Sequence, residues 1–150
     1  AGNDYLYMYG GLARAEYGDV DGNFYGFYGV YDNAYITIQG GANMNGGDGN
    51  DYLEVVTLSY GVDISVRGAL TLNGDNGNDT IFVATNAAYG LGAQWQNITV
   101  GSASLNGGNG DDLIVAGSVP YGTGLTEDNT VKVINSATVT GGNGNDVVFM

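Results

Sequence analysis

Short runs in which apolar and polar residues alternate recur along the chain, and they flank stretches rich in glycine. In LTLN (residues 70–73) and TIFV (residues 80–83), every second side chain is leucine, isoleucine or valine. Alternation with a period of two is typical of β-strands. No stretch has the 3.6-residue period of an amphipathic helix, and glycine recurs too often to favour one. The sequence therefore predicts an all-β protein.

The glycine-rich stretches are copies of one internal repeat. We call four of them the first to fourth acidic loops: residues 46–51 (GGDGND), 74–79 (GDNGND), 107–112 (GGNGDD) and 141–146 (GGNGND). Their final aspartates are 28, 33 and 34 residues apart. A shorter match, AGND, ends at Asp4, and a degenerate copy, DVDGNF, contains Asp19 and Asp21. Self-similarity at such a period indicates stacked repeats.

Each repeat has two alternating runs around a small-residue turn, then the acidic loop, then a third run. This order predicts a parallel β-solenoid, of the β-roll or β-helix kind, with about five coils of roughly 20–34 residues. Each coil is expected to have three short strands and its acidic loop at one corner. Residues 1–150 are expected to form a single domain, in which 1–45 are degenerate, tyrosine-rich coils and 46–150 are regular coils.

Alternation also assigns the faces of the strands. The side chains expected to point inward are Leu6, Met8, Ala42, Met44, Leu53, Val55, Leu70, Leu72, Ile81, Val83, Ala103, Leu105, Ile114, Ala116, Ala137, Val139, Val148 and Met150. Tyr52, Phe82 and Leu113 are then on the outside, which makes that face unusually apolar. Either an insertion of the same chain or a neighbouring subunit is expected to cover it.

Net charge and composition limit the ligands and reactions that the chain can support. The chain has 16 acidic and 3 basic residues, a net charge of −13, and 13 of the acidic residues are aspartate. So few basic residues exclude a nucleic-acid-binding patch. The absence of cysteine and histidine excludes thiolate and imidazole metal sites and histidine-dependent catalysis. Aspartate beside glycine and asparagine instead favours oxygen ligation of a hard cation such as Ca²⁺.

The acidic loops are the predicted cation sites. Glycine permits the backbone to curl and turn its carbonyl oxygens inward, and two stacked loops together supply enough oxygen ligands for calcium. The predicted carboxylate ligands are Asp51, Asp79, Asp112 and Asp146, then Asp4, with Asp19 and Asp21 as candidates in the degenerate copy. The predicted carbonyl ligands lie near Gly46, Asp48, Gly74, Asn76, Gly107, Asn109, Gly141 and Asn143. The side chains of Asp48, Asp75 and Asp111 are expected to be solvated, and plain metal-free turns are the alternative for all the loops.

These loops resemble the calcium-binding nonapeptide G-G-x-G-x-D-x-U-x of the RTX (repeats-in-toxin) proteins, where U is apolar. The second loop departs from it, since Asp75 replaces the second glycine. The resemblance implies a parallel β-roll that binds Ca²⁺ between loops, type I secretion, and folding outside the cell. Tandem family repeats place a loop every nine residues, whereas this chain has one loop per repeat. We therefore expect a wider, three-sided solenoid with calcium along one edge only.

The sequence leaves three candidate functions. The first is a secreted, calcium-stabilised structural solenoid of an extracellular filament, surface layer or adhesin, whose copies stack head to tail or pack laterally. The second is the calcium-binding C-terminal module of a type I-secreted enzyme or toxin. The third, a catalytic solenoid using Asp63 or Glu16, is disfavoured because no carboxylate outside the loops recurs in a way that marks a site.

The expected setting is therefore a non-enzymatic protein at a bacterial cell surface or in an extracellular fibre, with no transmembrane segment. The tyrosine-rich first third suggests either contact with a polysaccharide or cell surface or good strand-forming residues in an imperfect coil.

Overall fold

A computed structural model of the 150-residue chain describes Gly2 and residues 5–10, 34–57, 62–86, 96–119 and 129–150. The predicted ligands Asp4, Asp19 and Asp21 lie outside the described residues, as do Glu16 and most of the tyrosine-rich first third. Within the described ranges the structure is all β, with parallel sheets and no helix, which is consistent with a parallel β-solenoid.

Eleven strands are described. They are β1 (Tyr5–Gly10), β2 (Ala34–Ile38), β3 (Ala42–Asp48), β4 (Tyr52–Thr57), β5 (Val62–Asn76), β6 (Thr80–Asn86), β7 (Gln96–Asn109), β8 (Leu113–Val119), β9 (Asn129–Val133), β10 (Ala137–Asn143) and β11 (Val147–Phe149). Strands β3, β5, β7 and β10 each lead into one acidic loop, and β4, β6, β8 and β11 follow it.

The strands form two parallel sheets. The first sheet has the order β1-β4-β6-β8-β11, and the second has the order β10-β7-β5-β2, with β3 also paired to β5 and β9 to β7. Residues at equivalent positions of successive repeats are paired across neighbouring strands. Leu53 therefore lies beside Ile81, and Ile81 lies beside Ile114. Parallel neighbours require a crossover between them, and the acidic loops connect one sheet to the other on every crossover described.

The two runs before the first and fourth loops are separate strands, β2 with β3 and β9 with β10, whereas those before the second and third loops are merged. In β5 and β7 they form one continuous strand, with a register irregularity between Val66 and Ala69. A column of glycines at this place brings neighbouring backbones close together: Gly68 N–H donates to the Gly40 carbonyl at 2.9 Å. A Cβ on Gly68 would come within 2.8 Å of Gly40, and one on Gly101 would overlap the Arg67 carbonyl. The turn is therefore a local kink in one sheet.

The space between the two sheets is filled by the predicted inward-facing residues. Side chains that are at most 3 % exposed include Leu53, Val55, Ile81, Val83 and Ile114 from the first sheet and Leu70, Leu72 and Leu105 from the second. Ile64, Val66, Ile98 and Val100 extend the same core along β5 and β7. The inward assignment is confirmed for these positions.

In the last strands Val139 packs against the core as predicted, whereas the other residues predicted to point inward are exposed. Val148 is 41 % exposed, Met150 is 88 % exposed, and Ala137 is also exposed. Among the described strands β10 and β11 pair on one side only, so their apolar side chains have half the neighbours of those in β6. On the outer face of the first sheet, Tyr52 and Phe82 are half-buried against each other, with ring centroids 5.7 Å apart.

Candidate metal centre

The backbone of the acidic loops turns at a glycine of positive φ. Gly49, Gly77, Gly110 and Gly144 have φ between 131° and 140°, a region that L-residues with a side chain rarely occupy. The N–H groups of Gly49, Gly77 and Gly110 each donate to the carbonyl of the third residue of the next loop, at 2.8–2.9 Å. Neighbouring loops are therefore hydrogen-bonded to one another through their backbones.

The four final aspartates form a column through the loops. Asp51, Asp79 and Asp112 are only 1–2 % exposed, and Asp146 is half-buried. In each pair of neighbours, the backbone N–H of one aspartate donates to Oδ1 of the next: Asp51 to Asp79 at 2.8 Å, Asp79 to Asp112 at 2.8 Å, and Asp112 to Asp146 at 3.1 Å. The structure thus brings the four strongest predicted ligands together in one row.

The second carboxylate oxygen is the unusual feature of this column. Oδ2 of Asp79 and Oδ2 of Asp112 are buried and accept no hydrogen bond from the described residues. A buried polar oxygen without a partner is costly. Such an atom marks a place where a proton, a water molecule or a cation would be stabilising.

The first glycine of each loop makes room for this oxygen. A Cβ on Gly74 would overlap Oδ2 of Asp79 and the carbonyl oxygen of Gly107. A Cβ on Gly107 would likewise overlap Oδ2 of Asp112 and the carbonyl oxygen of Gly141. The unpartnered carboxylate oxygen of one loop and a carbonyl oxygen of the next loop therefore share one small space. The φ angles of Gly74 and Gly107 are not positive, so the backbone conformation does not require glycine there. Glycine is required because any side chain would collide with these oxygens.

The electrostatics of the column disfavour free carboxylates. Burial raises the pKa of Asp79, the hydrogen bond from the Asp51 backbone opposes this, and the charges of neighbouring aspartates raise the pKa further. Burial likewise raises the pKa of Asp112, and Asp146 and Asp111 add to the effect. Neither Arg67 nor Lys132, the basic residues within the described ranges, forms an ion pair with Asp79 or Asp112. Within the described ranges, Asp79 and Asp112 therefore have no basic side chain paired with them.

The predicted carbonyl ligands divide into two kinds. The carbonyls of Gly107 and Gly141, at the first position of their loops, lie beside the aspartate oxygens. The third-position carbonyls of Asp48, Asn76, Asn109 and Asn143 each accept a backbone N–H from the neighbouring loop, beginning with Gly2 to Asp48 at 2.8 Å. One lone pair of each of these carbonyls is therefore already used.

Sequence reasoning missed the hydrogen-bonded rows of side chains that run beside the column. In the third-position row, Asn143 donates to Asn109, Asn109 to Asn76 and Asn76 to Asp48, each at 2.8 Å. In a second row, Asn106 donates to Asn73 and Asn73 to Asn45, each at 2.7 Å. The signal that could have revealed them is the recurrence of asparagine at matching loop positions. We call the first row the amide ladder.

The aspartates that were expected to be solvated take part in such rows. Asp48 accepts from Asn76, as above, and Asp111 Oδ1 accepts the backbone N–H of Asn145 at 2.8 Å. Asp75, the residue in place of glycine in the second loop, has a φ of 75°. Its carboxylate accepts from the side chains of Asn45 and Asn73, and these bonds hold a conformation that is otherwise unfavourable for aspartate.

The donor set fits a hard cation in kind, because every available atom is a carboxylate or carbonyl oxygen. Within the described ranges no group of three or more acidic, histidine or cysteine side chains surrounds one point. A cation here would therefore be held by carboxylates from two neighbouring loops together with backbone carbonyls.

A scan against protein-family models and searches among curated proteins and solved structures found no match. Among the described residues there is also no helix that is long and apolar enough to cross a membrane.

Proposed function

We propose that this chain is a secreted structural β-solenoid, stabilised by calcium, that builds or forms part of an extracellular filament, surface layer or adhesin. The observation that carries the proposal is the column of buried aspartates. Oδ2 of Asp79 and of Asp112 lies beside a carbonyl oxygen of the next loop and accepts no hydrogen bond from the described residues. A divalent cation satisfies both oxygens and offsets the mutual repulsion of the carboxylates.

Each ion would be held between two neighbouring loops. Asp79 and Asp112 with the Gly107 carbonyl form one such set, and Asp112 and Asp146 with the Gly141 carbonyl form the next. When bound, the ion would supply positive charge beside Asp79 and Asp112, with which neither of the described basic residues pairs. The residues themselves orient the carboxylates through Oδ1 and exclude water by burial. This arrangement agrees with the resemblance of the four loops to RTX nonapeptides.

The finer architecture that we propose is a solenoid of about five coils with the acidic loops along one edge. The two parallel sheets, the matched register and the glycine kink support it. Ile134 after β9, Phe149 in β11 and Met150 after it are at least 60 % exposed. An edge of this kind suits a heterologous, head-to-tail contact, and such contacts generate filaments when they do not close.

Calcium titration of matched variants tests the proposal. The double variant Asp79→Asn/Asp112→Asn removes two buried carboxylates, whereas the control Asp63→Asn removes one outside the loops and preserves an oxygen for its hydrogen bond from Asn97. Isothermal calorimetry is expected to show several calcium ions bound by the wild type and by the control, and fewer by the double variant. No calcium binding by the wild-type chain would contradict the proposal.

Electron microscopy of the same samples separates the two secreted functions. Calcium-dependent fibres would support the structural role. A chain that binds calcium but stays strictly monomeric would instead favour the module of a type I-secreted enzyme or toxin.

A further inference from the structure

We propose that the asparagine–glycine pairs in the second to fourth acidic loops are deamidation sites whose reactivity is controlled by stacking, and that Asn143 reacts first. Three other asparagine–glycine pairs, Asn45–Gly46, Asn73–Gly74 and Asn106–Gly107, straddle the start of a loop and have a buried glycine. The pairs inside the loops are Asn76–Gly77, Asn109–Gly110 and Asn143–Gly144. All three asparagines are exposed, so water and hydroxide reach each of them. Their hydrogen bonds, in contrast, differ.

The reaction needs only the chain and water. The backbone nitrogen of the glycine loses its proton to base and attacks Cγ of the preceding asparagine. The new N–Cγ bond forms as the Cγ–Nδ2 bond breaks, and ammonia leaves after taking up a proton. Water then opens the resulting succinimide at either carbonyl, which gives aspartate or isoaspartate. Glycine favours this attack because it has no side chain to hinder the approach.

At Asn76 and Asn109 the fold holds both reacting groups. The attacking nitrogen of Gly77 donates its proton to the Asn109 carbonyl, and that of Gly110 donates to the Asn143 carbonyl, both at 2.8 Å. Each side chain also donates to one neighbour in the amide ladder and accepts from the other. Removing the glycine proton therefore requires local opening of the stack, as in hydrogen exchange of a protected amide.

At Asn143 fewer of these hydrogen bonds hold the reacting groups. Its Nδ2 donates to Asn109 at 2.8 Å, as in the other loops. Within the described residues, however, the Gly144 N–H donates no hydrogen bond and Oδ1 of Asn143 accepts none. Gly144 is also exposed, whereas Gly77 and Gly110 are half-buried. The nucleophile is thus free at the one loop that has no neighbour on this side among the described residues.

Reaction at Asn143 would weaken the contact between the third and fourth loops. An aspartate at this position has no amide to donate to Asn109, and an isoaspartate lengthens the backbone by one carbon between residues 143 and 144. The longer backbone displaces Asp146, whose Oδ1 accepts the Asp112 N–H at 3.1 Å. Deamidation at Asn143 is therefore expected in molecules in which no neighbouring loop covers the fourth acidic loop.

Peptide mapping by mass spectrometry tests this order. The 150-residue chain is incubated at mildly alkaline pH in calcium-containing buffer, at a concentration where light scattering shows only monomer, with and without urea sufficient to unfold it, and conversion at each asparagine is followed. In urea the three pairs are expected to react at similar rates, since glycine follows each asparagine. Under native conditions Asn143 is expected to react first. Asn76 and Asn109 should be slowed by about tenfold or more, since each ~1.4 kcal/mol of opening free energy contributes a factor of ten.

Equal native-to-urea ratios at all three sites, or faster native reaction at Asn76 or Asn109, would overturn the proposal. The variant Asn143→Gln should remove the fastest conversion and leave the slow conversions at Asn76 and Asn109 unchanged, which confirms its assignment. Because conversion is read on the monomer, these outcomes depend neither on which ion occupies the column nor on whether copies stack, so they are separate from the test of the proposed function.

Discussion

The third and fourth acidic loops have nearly the same sequence, GGNGDD and GGNGND, but very different surroundings. Asp112 is 2 % exposed, whereas Asp146 is half-buried; Ile114, two residues beyond the third loop, is fully buried, whereas Val148 is 41 % exposed. The third loop has described neighbours on both sides, and the fourth has one. The difference shows that burial and hydrogen bonding here come from the stacked neighbour, as expected for a repeat protein whose units stabilise one another.

The largest expected difference between the two environments is in the core. Ile81→Ala removes a fully buried side chain from β6 and should lower the free energy of unfolding by about 2–5 kcal/mol. Val148→Ala removes atoms that are partly in water already, so its cost should be below ~1 kcal/mol. Urea unfolding followed by circular dichroism measures both. Equal losses would show that the last strand is packed as tightly as an inner one.

A smaller difference is expected in calcium affinity. Asp79→Asn removes a charge from the middle of the column but keeps an oxygen to accept the Asp51 N–H. It should weaken the tightest calcium binding by about tenfold or more, equivalent to at least ~1.4 kcal/mol. Asp146→Asn changes a half-buried carboxylate and should weaken binding less. Calorimetric titration compares the two, and a greater loss with Asp146→Asn would reverse the ranking.

The row of aspartates and the buried side chains of the inner strands could be predicted because both follow from the repeat in the sequence. Matching the loops placed Asp51, Asp79, Asp112 and Asp146 in one row, and alternation identified the buried side chains of β4, β6 and β8. These features depend only on period and register.

Other features depend on how two repeats meet, and one repeat alone does not show that. The bond from the Asp79 N–H to Asp112 Oδ1 and the amide ladder require particular side-chain rotamers at a particular stacking distance. The merging of two runs in β5 depends on how closely Gly68 approaches Gly40. The exposure of Val148 depends on what lies beyond β11.

The pH dependence of stability should reveal the inner aspartates. Because burial raises the pKa of Asp79 and Asp112, the folded, calcium-free chain binds protons more tightly than the unfolded chain. The stabilisation from these groups is full below the ordinary pKa of aspartate and is lost as the pH rises through the raised folded-state pKa. With chelator present, the melting temperature should therefore rise on acidification from neutral pH.

The control for this prediction is the double variant Asp79→Asn/Asp112→Asn, which should show a much weaker pH dependence in chelator. With calcium bound, acidification should cease to stabilise the wild type, since protons and calcium compete for the same oxygens. A melting temperature that falls on acidification in chelator would contradict the assignment of these two carboxyls.

The smallest expected difference lies in the amide ladder. Asn109 donates to Asn76 and accepts from Asn143, whereas Asn143 only donates, and both side chains are exposed. Asn109→Ala removes two side-chain hydrogen bonds and Asn143→Ala removes one; at about 0.5–1.5 kcal/mol for each net bond, Asn109→Ala should cost roughly twice as much. The double variant breaks the shared bond only once, so its cost should be less than the sum of the two single variants. Additive costs would mean that exposed amides in this row gain nothing from stacking, and that backbone hydrogen bonds, the aspartate column and the core hold neighbouring loops together without them.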